Sequence, residues 1–359
     1  MNDDEYLLLL KQIEWYLPEV SVNIYSSRKN ILANNPFIVI VDVIPNNTLI
    51  VYTSWRQYFS ISNMRNKFNS IIIDRHFILA TDADYFRKLY YNTSSISYKE
   101  SVLLLSKQNF TSLHDKKMTS TAYCILTGPS SSQYKEIYID NNAYKIICNS
   151  IVKNKKMLQH IGGPDLIVFA DPVFHFSINE YCIKFRKDLL EVYDKYKPFI
   201  GMPLSSVPIF LNHFPFMHEH IIGFNATESL SFPSVNNNMS VKSFGNIMTF
   251  LMIPVASSLA VDVKIFGADG RNINDKYFWS YNKTTQYTES MKSVYEMHPS
   301  FIDDYNIPEY YKQHIINVSN LLAYGEEQGI QYHSLTSSYI PALSEREING
   351  SHKTSTGER

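Results

Sequence analysis

The run Ala122-Tyr123-Cys124-Ile125-Leu126, broken at Thr127-Gly128-Pro129-Ser130-Ser131-Ser132, decides how this chain is read. Two more runs of the same kind follow. Tyr144-Lys145-Ile146-Ile147-Cys148 stops at Asn149-Ser150, and Asp165-Leu166-Ile167-Val168-Phe169-Ala170 stops at Asp171-Pro172. Each is short, rich in Ile, Val, Phe and Tyr, and ends in small or polar residues, with room for a helix before the next. That pattern predicts an α/β fold: a Rossmann-like parallel sheet with crossover helices. Ligands of such sheets bind beyond the carboxyl ends of the strands. Gly128, Ser130, Asn149 and Asp171 fall at those ends, so they are expected to converge on one crevice.

Composition sets the outer limits. The chain has 359 residues, 45% of them hydrophobic and 19% charged, which is enough apolar material for one large or two ordinary domains. The net charge of -1 argues against a general nucleic-acid binder. The 3 cysteines, Cys124, Cys148 and Cys182, lie in or near apolar runs without metal-ligand spacing, which suggests buried thiols in a reducing compartment. The start Met1-Asn2-Asp3-Asp4-Glu5 is acidic and unlike a signal peptide. The most membrane-like run, Ile247 to Val261, is interrupted by Pro254, Ser257 and Ser258 and reads as a buried helix. A cytoplasmic protein is the expectation, with peripheral attachment to a membrane left open.

Three divisions are expected: a smaller N-terminal α/β unit over residues 1–119, the Rossmann-like unit over 120–343, and a disordered tail over 344–359. Within the first, Asp4 to Leu17 reads as a helix ended by Pro18. Pro36 to Ile44 and Leu49 to Thr53 read as strands joined by a turn at Pro45-Asn46-Asn47, followed by strand at Ser70 to Ala80 and helix at Asp82 to Tyr91. A short helix is expected at Lys99 to Leu105, and the polar stretch Gln108 to Thr119 is expected to be a boundary. Beyond Asp171, Ile178 to Tyr196 reads as a helix with Tyr181, Phe185, Leu189 and Val192 on one face. Strands are expected at Phe199 to Met202, Val207 to Leu211 and His220 to Phe224, and again at Val261 to Phe266 and Gly329 to His333. Helices are expected at Gly245 to Leu259 and Pro308 to Gln328.

Several residues are of a type that carries chemistry, and each also has a plain structural reading. Gly128-Pro129-Ser130 allows close backbone approach, and its hydroxyl and amides could hold phosphate oxygens, or it is an ordinary tight turn. It matches neither the Walker loop nor the dinucleotide fingerprint. Asn149 suits a base or ribose, or a turn. Asp171 suits a sugar hydroxyl, or a cap before Pro172. Asp269 stands between Ala268 and Gly270 just past a buried strand, a place for a functional carboxylate or a turn. Tyr277 and Tyr281, in the long run from Arg271 to Tyr281, could donate to a leaving phosphate, or pack as ordinary aromatics. His298 and His314 are candidate general bases, or structural histidines. His213, His218 and His220 cluster in sequence, with His218 and His220 expected on one strand face, but no third ligand is spaced to suggest a metal. Asp82-Ala83-Asp84 resembles the metal-holding Asp-x-Asp element of many glycosyltransferases; it is read here as a helix cap.

The order strand–Gly-Pro-Ser, strand–Cys-Asn, strand–Asp-Pro, Gly-led apolar helix, strand–Gly-x-Asp, Tyr-bearing loop and late His resembles the bacterial sialyltransferases of glycosyltransferase family forty-two. The resemblance runs from about Ala122 to Leu335 and leaves the first third unmatched. It implies a CMP-activated sialic acid donor, a single Rossmann-like domain and no metal. It also implies that Gly128, Pro129, Ser130 and Asn149 lie at the nucleotide. Asp171 stands where the family has Asn. Gly245 matches the Gly that opens the apolar helix, although Ser243-Phe244 replaces the family's Thr-Ser. Gly267 and Asp269 match the Gly-x-Asp, Tyr277 and Tyr281 the phosphate-binding tyrosines, and His314, with His298 behind it, the general base. A related group resembling archaeal pterin pyrophosphokinase and flagellin-glycosylation factors shares the same motif order.

The functional expectation is therefore a glycosyltransferase that moves sialic acid or a related nonulosonate from a CMP donor to a surface-glycan acceptor. The alternatives are a non-catalytic surface-polysaccharide assembly factor and a metal- and ATP-dependent pyrophosphoryl transferase. Donor and acceptor are the expected partners, with no nucleic acid and no cofactor.

Overall fold

The computed structural model describes residues 3–17, 22–25, 38–41, 50–52, 70–72, 87, 90–92, 94–272, 283–297 and 306–348. In chain order the strands are β1 (Val22–Tyr25), β2 (Ile38–Val41), β3 (Ile50–Tyr52), β4 (Ser70–Ile72), β5 (Thr121–Ile125), β6 (Tyr144–Cys148), β7 (Leu166–Val168), β8 (Phe199–Pro203), β9 (Ile221–Thr227), β10 (Ser240–Lys242), β11 (Asp262–Phe266) and β12 (Gln331–Ser334). The helices used below are α1 (Asp3–Tyr16), α2 (Ile96–Asp115), α3 (Lys155–His160), α4 (Glu180–Tyr196), α5 (Val207–His213), α6 (Ile253–Leu259), α7 (Met291–Met297) and α8 (Ile307–Glu326).

The fold is α/β, built on an eight-stranded sheet in the order β10-β9-β8-β7-β6-β5-β11-β12. Every pairing in it is parallel. The strands at its centre are buried along their whole length. Alternate side chains enter two different cores. Ala122, Cys124, Ile146, Leu166 and Val168 pack on one face with α6 and α8. Tyr123, Ile125, Ile147, Ile167 and Ile200 pack on the other with α3 and α4. A parallel sheet covered on both faces reads as continuous apolar runs, which is why these strands are visible in the sequence. Helix α4 begins at Asn179, whose side chain accepts from Cys182 N–H, and buries Tyr181, Phe185, Leu189 and Val192.

Several expectations are corrected. Val207 to Leu211 is not a strand but the start of α5, with Pro208 in its first turn; a short apolar run carries no period long enough to separate the two. The helix expected at Lys99 to Leu105 extends over Ile96–Asp115 and takes in most of the supposed boundary. Two of its polar residues, Ser106 and Asn109, are buried against backbone. Asn109 Nδ2 donates to the carbonyls of His218 and Ile221, at 2.8 Å each, and Ser106 Oγ accepts from Gly223 N–H at 2.9 Å. The strands expected to adjoin across Pro45-Asn46-Asn47 pair elsewhere, β2 with β1 and β3 with β4. The apolar helix starts later than Gly245, as a π-helical turn at Met248–Met252 that runs into α6. His218 and His220 lie in a 3-10 turn, Pro215–His220, rather than on a strand face. Asp82 and Asp84 lie outside the described residues, as does most of the tail from 344, although Ser344 is helical and Glu347 bridges to Ser334. No helix among the described residues is long and apolar enough to cross a membrane.

Candidate functional site at the strand-order reversal

From β5 the chain steps outward through β6, β7, β8 and β9 to the edge at β10. It then returns to lay β11 against the free side of β5. The order thus reverses between β5 and β11, and a crevice opens there at the carboxyl ends. Gly128 and Gly267 meet at that point. Gly128 N–H donates to the Gly267 carbonyl at 2.9 Å. A Cβ on Gly128 would lie 2.1 Å from Asp269 Oδ2 and 2.5 Å from Gly267 O, so only glycine fits. Gly267 itself has φ +75°, a left-handed conformation that glycine adopts without strain.

Asp269 closes the crevice floor. Its carboxylate accepts from Ser130 N–H at 3.0 and 3.2 Å and from Ser130 Oγ–H at 2.9 Å. Ser130 Oγ also lies 3.0 Å from Thr336 Oγ1, which accepts from Gly267 N–H at 3.2 Å. With the one Ser130 hydroxyl proton on Asp269, the Thr336 hydroxyl supplies the proton of that contact. Four residues from the segments that follow β5, β11 and β12 are thereby tied into one chain of hydrogen bonds. Both Ser130 donors face a carboxylate of the protein itself. Burial pushes the Asp269 carboxyl above its usual range, and the Ser130 bonds oppose that shift.

Above this floor lies a cavity of about 590 Å³, a size suited to a small-molecule ligand. Gly128, Asn149, Asp171, Gly245, Gly267 and Asp269 all line it, and so does His314. Pro129 and Ser130 do not line it; Pro129 opens a 3-10 helix, Pro129–Glu136, directly after Gly128. Asn149 has φ 47° and a buried Oδ1 without a hydrogen-bond partner. Asp171 serves as a cap: its Oδ1 accepts from Val173 N–H at 2.9 Å and Phe174 N–H at 3.1 Å. Gly245 gives way to Tyr310, whose hydroxyl donates to the Gly245 carbonyl at 2.8 Å; a Cβ there would lie 2.9 Å from the Tyr310 ring. His314, on α8, is 7% exposed, and burial pushes its imidazole down to about 4. It is therefore neutral at pH 7. Tyr277, Tyr281 and His298 lie outside the described residues.

The sequence reading did not single out four further residues that line the cavity: Arg87, His175, Arg271 and Gln286. His175 is buried, its Nδ1 lies 3.0 Å from the Asp171 carbonyl, and burial pushes it down to about 3. With a carbonyl as partner, Nδ1 carries the proton. Gln286 is set by Tyr181, whose hydroxyl donates to its Oε1, and by Lys153 Nζ, which donates to its carbonyl at 2.8 Å. Arg271 N–H donates to the Tyr311 hydroxyl at 2.8 Å. No local pattern announces these residues, since each reaches the cavity from a different element. Of the three histidines close in sequence, two are engaged with aromatic partners. His213 stacks on Trp15, and His220 Nδ1 lies 3.2 Å from the Tyr193 hydroxyl. Among the described residues no group of three or more His, Cys, Asp or Glu is placed to hold a metal ion.

No protein-family model, curated protein or solved structure matches this chain significantly.

Proposed function

We propose that this chain is a glycosyltransferase that moves sialic acid or a related nonulosonate from a CMP donor to a hydroxyl of a surface glycan. It would act in the cytoplasm, or peripherally at the inner face of a membrane. One observation carries the reading: His314 lines the same cavity as Gly128, Asn149, Asp171, Gly245, Gly267 and Asp269, at the strand-order reversal of a parallel sheet. In the reaction, the acceptor oxygen bonds to the anomeric carbon of the sugar as its proton passes to His314. The bond from that carbon to the CMP phosphate oxygen breaks, and its electron pair leaves with the phosphate. Tyr277 and Tyr281, by resemblance, would donate hydrogen bonds to the departing phosphate. His314 starts neutral, and a bound phosphate beside it favours its protonated form, which strengthens it as a base.

The test is to incubate purified protein with CMP-sialic acid and glycan acceptors. Release of CMP is expected, along with a rise in melting temperature on adding CMP. His314→Gln should slow turnover on the order of 100-fold or more and still bind CMP. No turnover, no donor hydrolysis and no CMP binding together would refute the assignment. Activity is expected to survive EDTA; complete loss, restored by Mn²⁺, would favour pyrophosphoryl or metal-dependent transfer instead.

One observation favours a non-catalytic assembly factor as the second reading. The Ser130 donors are taken by Asp269, and burial makes His314 a weak base. On that reading CMP binds, and His314→Gln leaves the cellular glycan unchanged.

A further inference from the structure

Beyond β7 the cavity wall is irregular backbone. Pro172–Phe176 forms a π-helical turn and brings Phe174 and His175 into the lining. The end of such a turn leaves carbonyls without helical partners. Here three successive carbonyls are met from outside by two side chains. Arg186 Nη1, from α4, donates to Ser177 O at 2.6 Å and His175 O at 3.4 Å. Between them, Trp15 Nε1 donates to Phe176 O at 2.8 Å.

The two donors are held to each other and to the body. The Arg186 guanidinium lies 4.3 Å from the Trp15 ring centroid, and this buried cation gains from the indole face. The His213 ring stacks on Trp15 at 3.7 Å and 9°, and its Nε2 lies 2.7 Å from the Trp15 carbonyl. With a carbonyl as acceptor, that nitrogen carries the proton. Trp15 therefore uses its ring, its N–H and its own carbonyl at once. All three engage α4, α5 and the turn that forms the cavity wall.

We infer that Trp15 is a positioning residue of the cavity, through which helix α1 fixes the turn that carries Asp171 and His175. This gives the start of the chain, which the family resemblance does not reach, a role in the site. The effect on CMP below rests on the function proposed above; the effect on the turn does not.

The experiment uses the full chain with Trp15→Phe, which keeps an aromatic ring and removes the N–H, and Trp15→Ala. Hydrogen exchange is followed at the amides of residues 171–179, with β5 as the internal reference, and CMP affinity is measured by calorimetry. Trp15→Phe is expected to speed exchange in 171–179 about tenfold, to leave β5 unchanged, and to weaken CMP about tenfold, or about 1.4 kcal/mol. A uniform rise in exchange across β5 and the turn would mean a general loss of stability and would overturn the inference. So would unchanged exchange in 171–179, or a loosened turn with CMP affinity intact. Should Trp15→Ala fail to fold, Trp15→Phe alone decides. Should the unaltered protein not bind CMP, the proposed function falls, and the exchange pattern still decides whether Trp15 holds the turn.

Discussion

Gly128→Ala tests the strand-order reversal most directly. The new methyl carbon would stand 2.1 Å from Asp269 Oδ2 and 2.5 Å from Gly267 O, more than 1 Å inside ordinary contact for the first. The carboxylate can swing away only by leaving Ser130, to which it is bonded at 2.9–3.2 Å. Hydrogen bonds to a charged group are worth roughly 1.5–3 kcal/mol each. The Gly267 carbonyl is backbone and cannot swing at all. Relief there means parting the ends of β5 and β11 and losing the Gly128 N–H to Gly267 O bond, about 1 kcal/mol. One charge-assisted bond and this backbone bond together give a loss of about 2.5–4 kcal/mol. The assay is urea unfolding, read as a fall in midpoint at unchanged slope. Gly329→Ala is the control. Gly329 has φ +83° but nothing within 4 Å of its added Cβ, so only strain of about 1–2 kcal/mol applies. Asp269→Ala should relieve part of the Gly128→Ala cost in the double variant. If Gly128→Ala cost no more than Gly329→Ala, or if Asp269→Ala left its cost unchanged, the reasoning would be wrong.

Stability should fall on acidification below pH 6.5. His175 and His314 are held at about 3 and about 4, below the unfolded value of 6.5, so the unfolded chain takes up the protons. The stabilisation is whole above pH 6.5 and lost as pH falls towards those values, at about 1.4 kcal/mol per pH unit for each histidine. Asp269, raised by burial, works in the opposite sense at the acid end. Urea midpoints at pH 7.5, 6 and 5 should show the slope, and His314→Gln should flatten it; a flat profile contradicts the burial argument. Ser130→Ala and Asp269→Asn should each cost about 1–3 kcal/mol and be strongly non-additive; simple additivity would mean that the bond between them contributes little. Tyr181→Phe removes one of the two donors to Gln286 Oε1, leaving Tyr287 N–H at 3.1 Å, and should lower stability by about 1 kcal/mol and weaken CMP binding; an unchanged CMP affinity would remove Gln286 from the site.

The sequence by itself determined the central strands of the sheet. Strands β5 to β8 announce themselves because both of their faces are buried, which favours near-continuous apolar runs, and β11 shows through Val263, Ile265 and Phe266, with Asp262 and Lys264 only partly buried between them. Helix α4 is legible for the complementary reason, a single buried stripe at helical spacing. The strand ends, and with them most of the cavity lining, follow once the sheet is known. Tertiary structure alone decided what those ends do. Val207 to Leu211 is too short for its period to be read, and its helix follows from where it packs. Asn109, in the stretch expected as a boundary, looks like linker until β9 lies beside it and the Ile221 carbonyl takes its hydrogen bond. Ser130 meets Asp269 across 139 residues of chain, and Trp15 meets Phe176 across 161. Contacts between such distant residues form only when the sheet brings them together, and so they leave no periodic trace in the local sequence.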